Sequence, residues 1–228
     1  MMELEYQIVR SPKRKKLTIT VERDRAVIVH APQETSEEEV RRVVDAKRQW
    51  ILTKIRHPQK YQDRLHPPGK EVVNGESAPY LGRNYRIEVT ETASGEVEFS
   101  NLFLVPPVHR GKRREVLRDW YIARARERIV ARAERHAREL GVEFRAAKIV
   151  DNRYRWGSCT VNDNVSFNWR LIKAPMFVID YVIVHELAHL IEGNHTPRFW
   201  SIVRAKSPML EKARAWLKEH GQFLEQEV

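Results

Sequence analysis

Residues Val178-Ile179-Asp180-Tyr181-Val182-Ile183-Val184 run, without Gly or Pro, straight into His185-Glu186-Leu187-Ala188-His189. A stretch this apolar suits a helix buried on most of its surface, with Pro175 near its first turn and Gly193-Asn194 near its end. Such a helix carries His, Glu and His into an apolar interior, which is costly unless something binds them. That requirement is the strongest constraint on the fold. Four residues turn a helix by about 400° and rise roughly 6 Å, so both imidazoles point the same way, one turn apart. A tetrahedral Zn2+ needs that bite for two nitrogens at about 2.0–2.1 Å. Glu186, beside His185, can reach a water that the ion activates without being a ligand itself.

A third histidine, His195, follows six residues after His189. Had the helix continued, six residues would swing that side chain about 240° away. Gly193-Asn194 is a good stop signal, and a turn there folds His195 back as third ligand to one Zn2+ ion. Glu192 is the competing ligand on the same stripe. It lies about 10.5 Å along the axis from His185, too far for easy convergence, and reads as a supporting or solvated residue.

The 228-residue chain has ample length for a core, and its 42% hydrophobic, 32% charged composition is that of a globular protein. It contains no run of about 18 apolar residues, so no membrane span is expected. The Met1-Met2-Glu3-Leu4-Glu5 start lacks the basic and apolar regions of a signal peptide. Cys159 is the single cysteine; it excludes an internal disulfide, fits a reducing cytosol and reads as a small buried side chain. A cytoplasmic location is therefore expected. Of the net charge of +10, over half comes from residues 109–139, with eleven Lys/Arg against five Asp/Glu. A surplus of this kind attracts phosphates and allows nucleic-acid association through that helix. The competing reading is a solvated face laced with i,i+4 ion pairs.

Taken in order, residues 4–9, 17–21 and 26–29 read as strands of a meander. Thr35 or Ser36 then caps one helix to about residue 55, with the stripe Val40, Val43, Val44, Trp50 and Ile51. Residues 57–69 read as a connection. Residues 71–105 return to strand periodicity, with turns at Asn74-Gly75 and Ser94-Gly95. A long helix over 111–140 ends at Gly141, its apolar side formed by Val116, Trp120, Ala123, Ile129 or Val130, Ala133 and Ala137. Strands are expected over 147–150 and 165–172. The first of two final helices starts from Thr196-Pro197, with Phe199 and Trp200 placed to clamp His195; the last starts at Pro208 and ends at Gly221. The fold class is α+β: a β-rich N-terminal part with one packed helix over 1–108, then a catalytic domain over 109–228.

Arg155-Trp156-Gly157-Ser158-Cys159, Asn168-Trp169-Arg170-Leu171-Ile172, His185-Glu186-Leu187-Ala188-His189-Leu190 and Asn194-His195 with Phe199-Trp200 together resemble the YgjP-like metallopeptidase family. The C-terminal part looks like a relative of the SprT-like and WLM zinc proteases. Arg10-Ser11, Ala31-Pro32, Lys47-Arg48-Gln49-Trp50-Ile51 and Tyr80-Leu81-Gly82 also look like that family. The resemblance implies a minimal zincin-like domain, with His185, His189 and His195 as zinc ligands and Glu186 as general base. A pyrophosphohydrolase activity on nucleoside triphosphates, notably UTP, has been attributed to a YgjP-type member, so the family name does not fix the substrate.

Three readings follow. A zinc peptidase would use Glu186 as base, with Tyr181, Arg155, Arg170 and Asn168 as candidate substrate or oxyanion contacts and the 165–172 strand pairing with an extended polypeptide. A nucleotide pyrophosphohydrolase would set Arg153, Arg155 and Arg170 against triphosphate charge. It lacks a Gly-rich phosphate loop, and hard Mg2+ sites usually use carboxylates. A nucleic-acid-binding module with structural zinc is disfavoured by the open fourth coordination position.

Overall fold

The computed structural model describes residues 4–12, 14–21, 25–56, 71–91, 95–152 and 155–225. The expected connection over 57–69, Ser94 of the second turn, and Arg153 lie outside them. The chain divides into two compact units, Met1–Leu65 and His66–Val228.

In the first unit, β1 (Gln7–Ser11), β2 (Thr18–Val21) and β3 (Val27–Pro32) form a sheet of order β1-β3-β2. The expected meander is not what forms, because β3 lies between the other two, parallel to β1 and antiparallel to β2. Val27, Val29 and Ala31 alternate inward and are all buried, so the most apolar strand takes the centre. Ser36 caps α1 (Glu37–Ala46) by accepting from the Glu39 N–H at 3.2 Å, with three glutamates in the first turn. The expected single helix breaks at Lys47 (φ −99°, ψ 4°), and α2 (Arg48–Ile55) follows. The break changes the face presented. Ile51 completes the core with Val40 and Val44, while Trp50 is 43% exposed with the Lys54 ammonium 5.9 Å over its ring.

The second unit opens with β4 (Ser77–Tyr80), β5 (Arg83–Val89), β6 (Glu98–Phe99) and β7 (Phe103–Val105), in the order β4-β5-β7-β6. Helix α3 (Arg110–Leu140) follows and ends on left-handed Gly141. Its buried row is Leu117, Tyr121, Ala125, Ile129, Ala133 and Ala137, an unbroken i,i+4 ridge. The expected stripe is displaced by one residue in its first half: Ala123 is exposed, and Val116 and Trp120 only border the core. Phe103 and Val105 share one core with α3 and the residues beyond. The boundary expected near 106–110 therefore falls inside a common core, and the division lies at 65/66 instead. The architecture is α+β.

A small sheet of order β8-β10-β9 comes next, built from β8 (Ala146–Val150), β9 (Gly157–Cys159) and β10 (Asn164–Asn168). The expected strand over 165–172 stops at Asn168, whose side chain accepts from the Arg170 N–H and caps a 3-10 turn, Trp169–Lys173. Pro175 precedes α4 (Met176–Ala188), and α5 (Pro197–Lys206) and α6 (Leu210–Leu224) complete the chain. Gly221 does not end α6. It lies within the helix, and a Cβ there would be 3.5 Å from the Trp156 ring. Lys173 is 3% exposed and donates to the Leu224 carbonyl at the end of α6. Its ammonium faces the rings of Trp169 and Tyr121 at 4.9 and 5.6 Å, so ring faces and a helix-end carbonyl help to hold the buried charge. Among the described residues no helix is long and apolar enough to cross a membrane.

Two contacts fix α4. Leu81 (φ 48°) and Gly82 (φ 81°) join β4 to β5 in a two-residue turn with left-handed backbone at both positions. The Leu81 and Gly82 N–H groups donate to the carbonyls of Ile172 and Lys173 at 2.9 and 3.0 Å. A Cβ on Gly82 would meet Pro175 Cγ at 2.6 Å. Further along, Asp180 accepts two bonds from Arg132 at 2.5 Å each and one contact from His136 at 3.1 Å, joining α4 to α3. Burial raises the Asp180 pKa, but the bonds from His136 and Arg132 more than offset it, and the net direction is down.

Gly82→Ala combines a left-handed backbone with a clash at Pro175, and we expect a loss of about 2–4 kcal/mol in denaturant unfolding. Gly75→Ala, also left-handed but with nothing within 4 Å of its Cβ, should lose only about 1–2 kcal/mol. Because the folded pKa of Asp180 is depressed, its contribution is complete above its unfolded value and is lost as pH falls through the folded one. Asp180→Asn should therefore cost about 1–3 kcal/mol at pH 7, and urea titrations should show the gap from wild type closing below about pH 4.

Candidate metal centre

His185 and His189 project from the last turn of α4 and its C-cap, and His195 returns to them after the Gly193-Asn194 turn. The Thr196 N–H donates to the Asn194 carbonyl at 2.7 Å, which turns the chain sharply. Thr196 then caps α5 by accepting from the Phe199 N–H at 3.3 Å, with Pro197 in the first turn. The cap sets Phe199 against all three imidazoles, at 5.0, 4.5 and 4.7 Å from His185, His189 and His195. Trp200 stacks on His195 at 5.6 Å.

The three residues offer ligand nitrogens that all lie within 4.8 Å of one another. His185 and His195 bring their Nε2 atoms to 3.0 Å, close to the roughly 3.3–3.4 Å edge of a tetrahedron with zinc–nitrogen bonds of about 2.0–2.1 Å. Burial, and then the neighbouring His189 and His195, push the His185 pKa down to about 4. The ring is thus neutral near pH 7, the form that ligates a metal. His189 is lowered too, chiefly by burial. Its Nδ1 lies 3.3 Å from the Glu192 carbonyl, and donation there leaves the Nε2 lone pair for a metal. Glu192 thus meets the cluster through its main chain. His185 Nδ1 is buried without a partner. Neutral nitrogen donors from three sides suit zinc better than a hard oxygen-seeking cation.

Glu186 is 8% exposed. Burial pushes its pKa up to about 7, with Arg155 pulling in the opposite direction. Strand β9 passes so close that a Cβ on Gly157 would be 2.6 Å from Glu186 Cγ and 2.8 Å from Oε1. Only glycine allows this approach. A Gly within a strand often marks close backbone contact, and that signal lies in the Arg155–Cys159 motif. Cys159, two residues on, keeps its proton: burial, then the charges of Glu186 and Asp163, raises its pKa.

The remaining candidates divide. Tyr181 lies one turn before His185, its ring 5.9 Å away, and burial raises its pKa, so it remains a phenol donor. Arg155 is exposed, and its charge acts on Glu186. Arg170 and Asn168 both have partners within the protein. Arg170 bonds Asp151, which also holds Arg118 of α3, and its guanidinium lies 4.6 Å over the Trp169 ring. The Asn168 amide donates to the carbonyls of Asn152 and Arg155, while its oxygen accepts from Arg170 N–H and caps the 3-10 turn. Strand β10 cannot pair with a peptide, because β8 and β9 flank it on both sides. The edge strand beside Glu186 is β9.

The family model described as YgjP-like, metallopeptidase domain, matches residues 15–220. Comparison with curated proteins and comparison with solved structures each found no match. The matched span takes in strands β2 and β3 of the N-terminal sheet, the β4–β5 turn, Gly157 and the whole three-histidine cluster, and the chain belongs to the YgjP-like metallopeptidase family.

Proposed function

We propose that the chain is a zinc-dependent peptidase, with His185, His189 and His195 holding one Zn2+ and Glu186 moving the proton. The observation that carries this reading is the convergence of three imidazoles beside a buried carboxylate, with an edge strand alongside. Zinc, when bound, supplies a Lewis acid that acidifies water and polarises a carbonyl. Glu186, its pKa raised to about 7 by burial, takes a proton from the attacking water and returns it to the leaving amine. The edge of β9 lets an extended polypeptide add as a further strand, aligned past Glu186. Phe199 and Trp200 exclude water from the side of α5 and hold the rings in place.

The nucleotide reading is weaker. Arg170 is engaged with Asp151, which removes one of the cations set against triphosphate charge. Part of the charge of the basic helix is also taken up in ion pairs, both along the helix and to other elements. Arg118, Arg124, Arg132 and Arg135 pair with Asp151, Glu127, Asp180 and Glu139.

Purified protein should bind one zinc per chain by elemental analysis, and His195→Ala should lose it. Offered unstructured polypeptides and a panel of nucleoside triphosphates, the zinc protein should release peptide fragments and no pyrophosphate. Glu186→Gln should keep the metal and cut turnover by about 10²–10⁴-fold. Pyrophosphate release that vanishes in Glu186→Gln, without peptide cleavage, would overturn the peptidase reading in favour of nucleotide hydrolysis.

Gly157→Ala tests the strand beside the base. Its Cβ displaces Glu186 or β9, so turnover should fall by tenfold or more, with about 1–3 kcal/mol of lost stability. Zinc content should remain at one per chain because no ligand is touched. Unchanged turnover would show that Glu186 does not work from this position.

A further inference from the structure

Helix α6 contributes a cation beside the histidine cluster. The Arg214 guanidinium lies 5.2 Å over the Trp200 ring. That indole is stacked on His195 and lies 5.7 Å from His185. Arg214's charge acts on both His185 and Tyr181. A cation held over an indole loses little rotamer freedom in pointing one way, and a guanidinium stays charged at any working pH.

Arg214 is not used as the other well-placed arginines are. Arg132 grips Asp180 through two bonds in a part-buried pair, and Arg170, itself 12% exposed, grips Asp151. Arg214 has Glu211 at 3.6 Å, with side chains 50% and 72% exposed, and a pair that open to water is worth little. A fixed positive charge beside three imidazoles also opposes the binding of a divalent cation there. Glu186 offsets part of that charge, but it faces β9 rather than α6. The unfavourable arrangement is relieved when an anionic oxygen lies between the arginine and the histidine cluster.

The geometry points to Arg214 as a catalytic residue that donates, together with the Tyr181 hydroxyl, to the substrate oxygen on which negative charge builds as the carbonyl is attacked. This assignment rests on the hydrolase reading above. It gives the cationic role that the motif suggested for Arg170 to a residue on α6, where no sequence pattern marks it. A guanidinium fork places two donors on one oxygen, and donors fixed before the reaction need no reorganisation as charge develops.

Inorganic phosphate, a tetrahedral oxyanion, is the probe. Its affinity for the zinc-loaded full-length protein can be measured by calorimetry, beside Arg214→Gln, Arg214→Lys and Arg155→Gln at matched zinc content. Arg214→Gln should bind phosphate about tenfold to a hundredfold more weakly than wild type, and Arg214→Lys should fall between the two. Zinc stoichiometry and unfolding midpoint should be unchanged in both. Phosphate affinity indifferent to Arg214, no phosphate binding by wild type, or a larger loss in Arg155→Gln would each overturn the assignment. Lost zinc in Arg214→Gln would make the residue a structural support and overturn it as well. A wild-type protein that takes up no zinc would sink the metal centre itself, a failure distinct from stoichiometric zinc with phosphate binding that ignores Arg214.

Discussion

Helix α4 takes His185, Glu186 and Asp180 into an interior otherwise made of Val178, Ile179, Val182, Ile183, Val184 and Leu187, each 4% exposed or less. Polar groups in such surroundings must be matched from outside the helix, and the neighbouring elements are arranged to do so. Arg132 and His136 of α3 meet Asp180, and the main chain of β9 closes on Glu186. Phe199 covers the imidazoles. The unmatched group is the Nδ1 of His185. The same burial that makes α4 expensive gives it chemistry, because it keeps His185 neutral and lets Glu186 hold or release a proton near neutral pH.

What could be read from the amino acids was what depends on neighbours in sequence. Helix ends written in Ser36, Gly141 and Thr196-Pro197 appear where expected, and the HExxH spacing with the Gly193-Asn194 turn brings three rings together. What escaped depends on residues far apart. Gly221 looked like a stop, yet it is a gap in α6 that accommodates Trp156. The 165–172 alternation looked like one strand because Trp169 and Leu171 are as buried as Val165 and Phe167, although the backbone passes into a 3-10 turn after Asn168. The stripe of α3 was displaced because an i,i+4 ridge with small Ala125, Ala133 and Ala137 is a fainter signal than Trp120. Arg214 carried no mark at all, since its position follows only from the packing of α6 against α4.

The basic composition also reads differently once side chains are located. Arginine density along α3 looks like an invitation to phosphate, but Arg118 and Arg132 reach across to Asp151 and Asp180. They tie α3 to the β8 end and to α4. Arginine suits this use because its planar fork bonds a carboxylate at two points. Each of these aspartates has its pKa held down against burial by the cations it receives.

The left-handed turn at Leu81-Gly82 has a consequence for the order of assembly. Its two N–H groups satisfy carbonyls at Ile172 and Lys173, immediately before α4 begins. Contacts so distant along the chain form slowly, since a long loop must close before they are rewarded. During synthesis the β4–β5 hairpin leaves the ribosome well before α4, and domains generally fold in that direction. The segment that carries the two donors is therefore already synthesised when α4, the most apolar stretch of the chain, emerges.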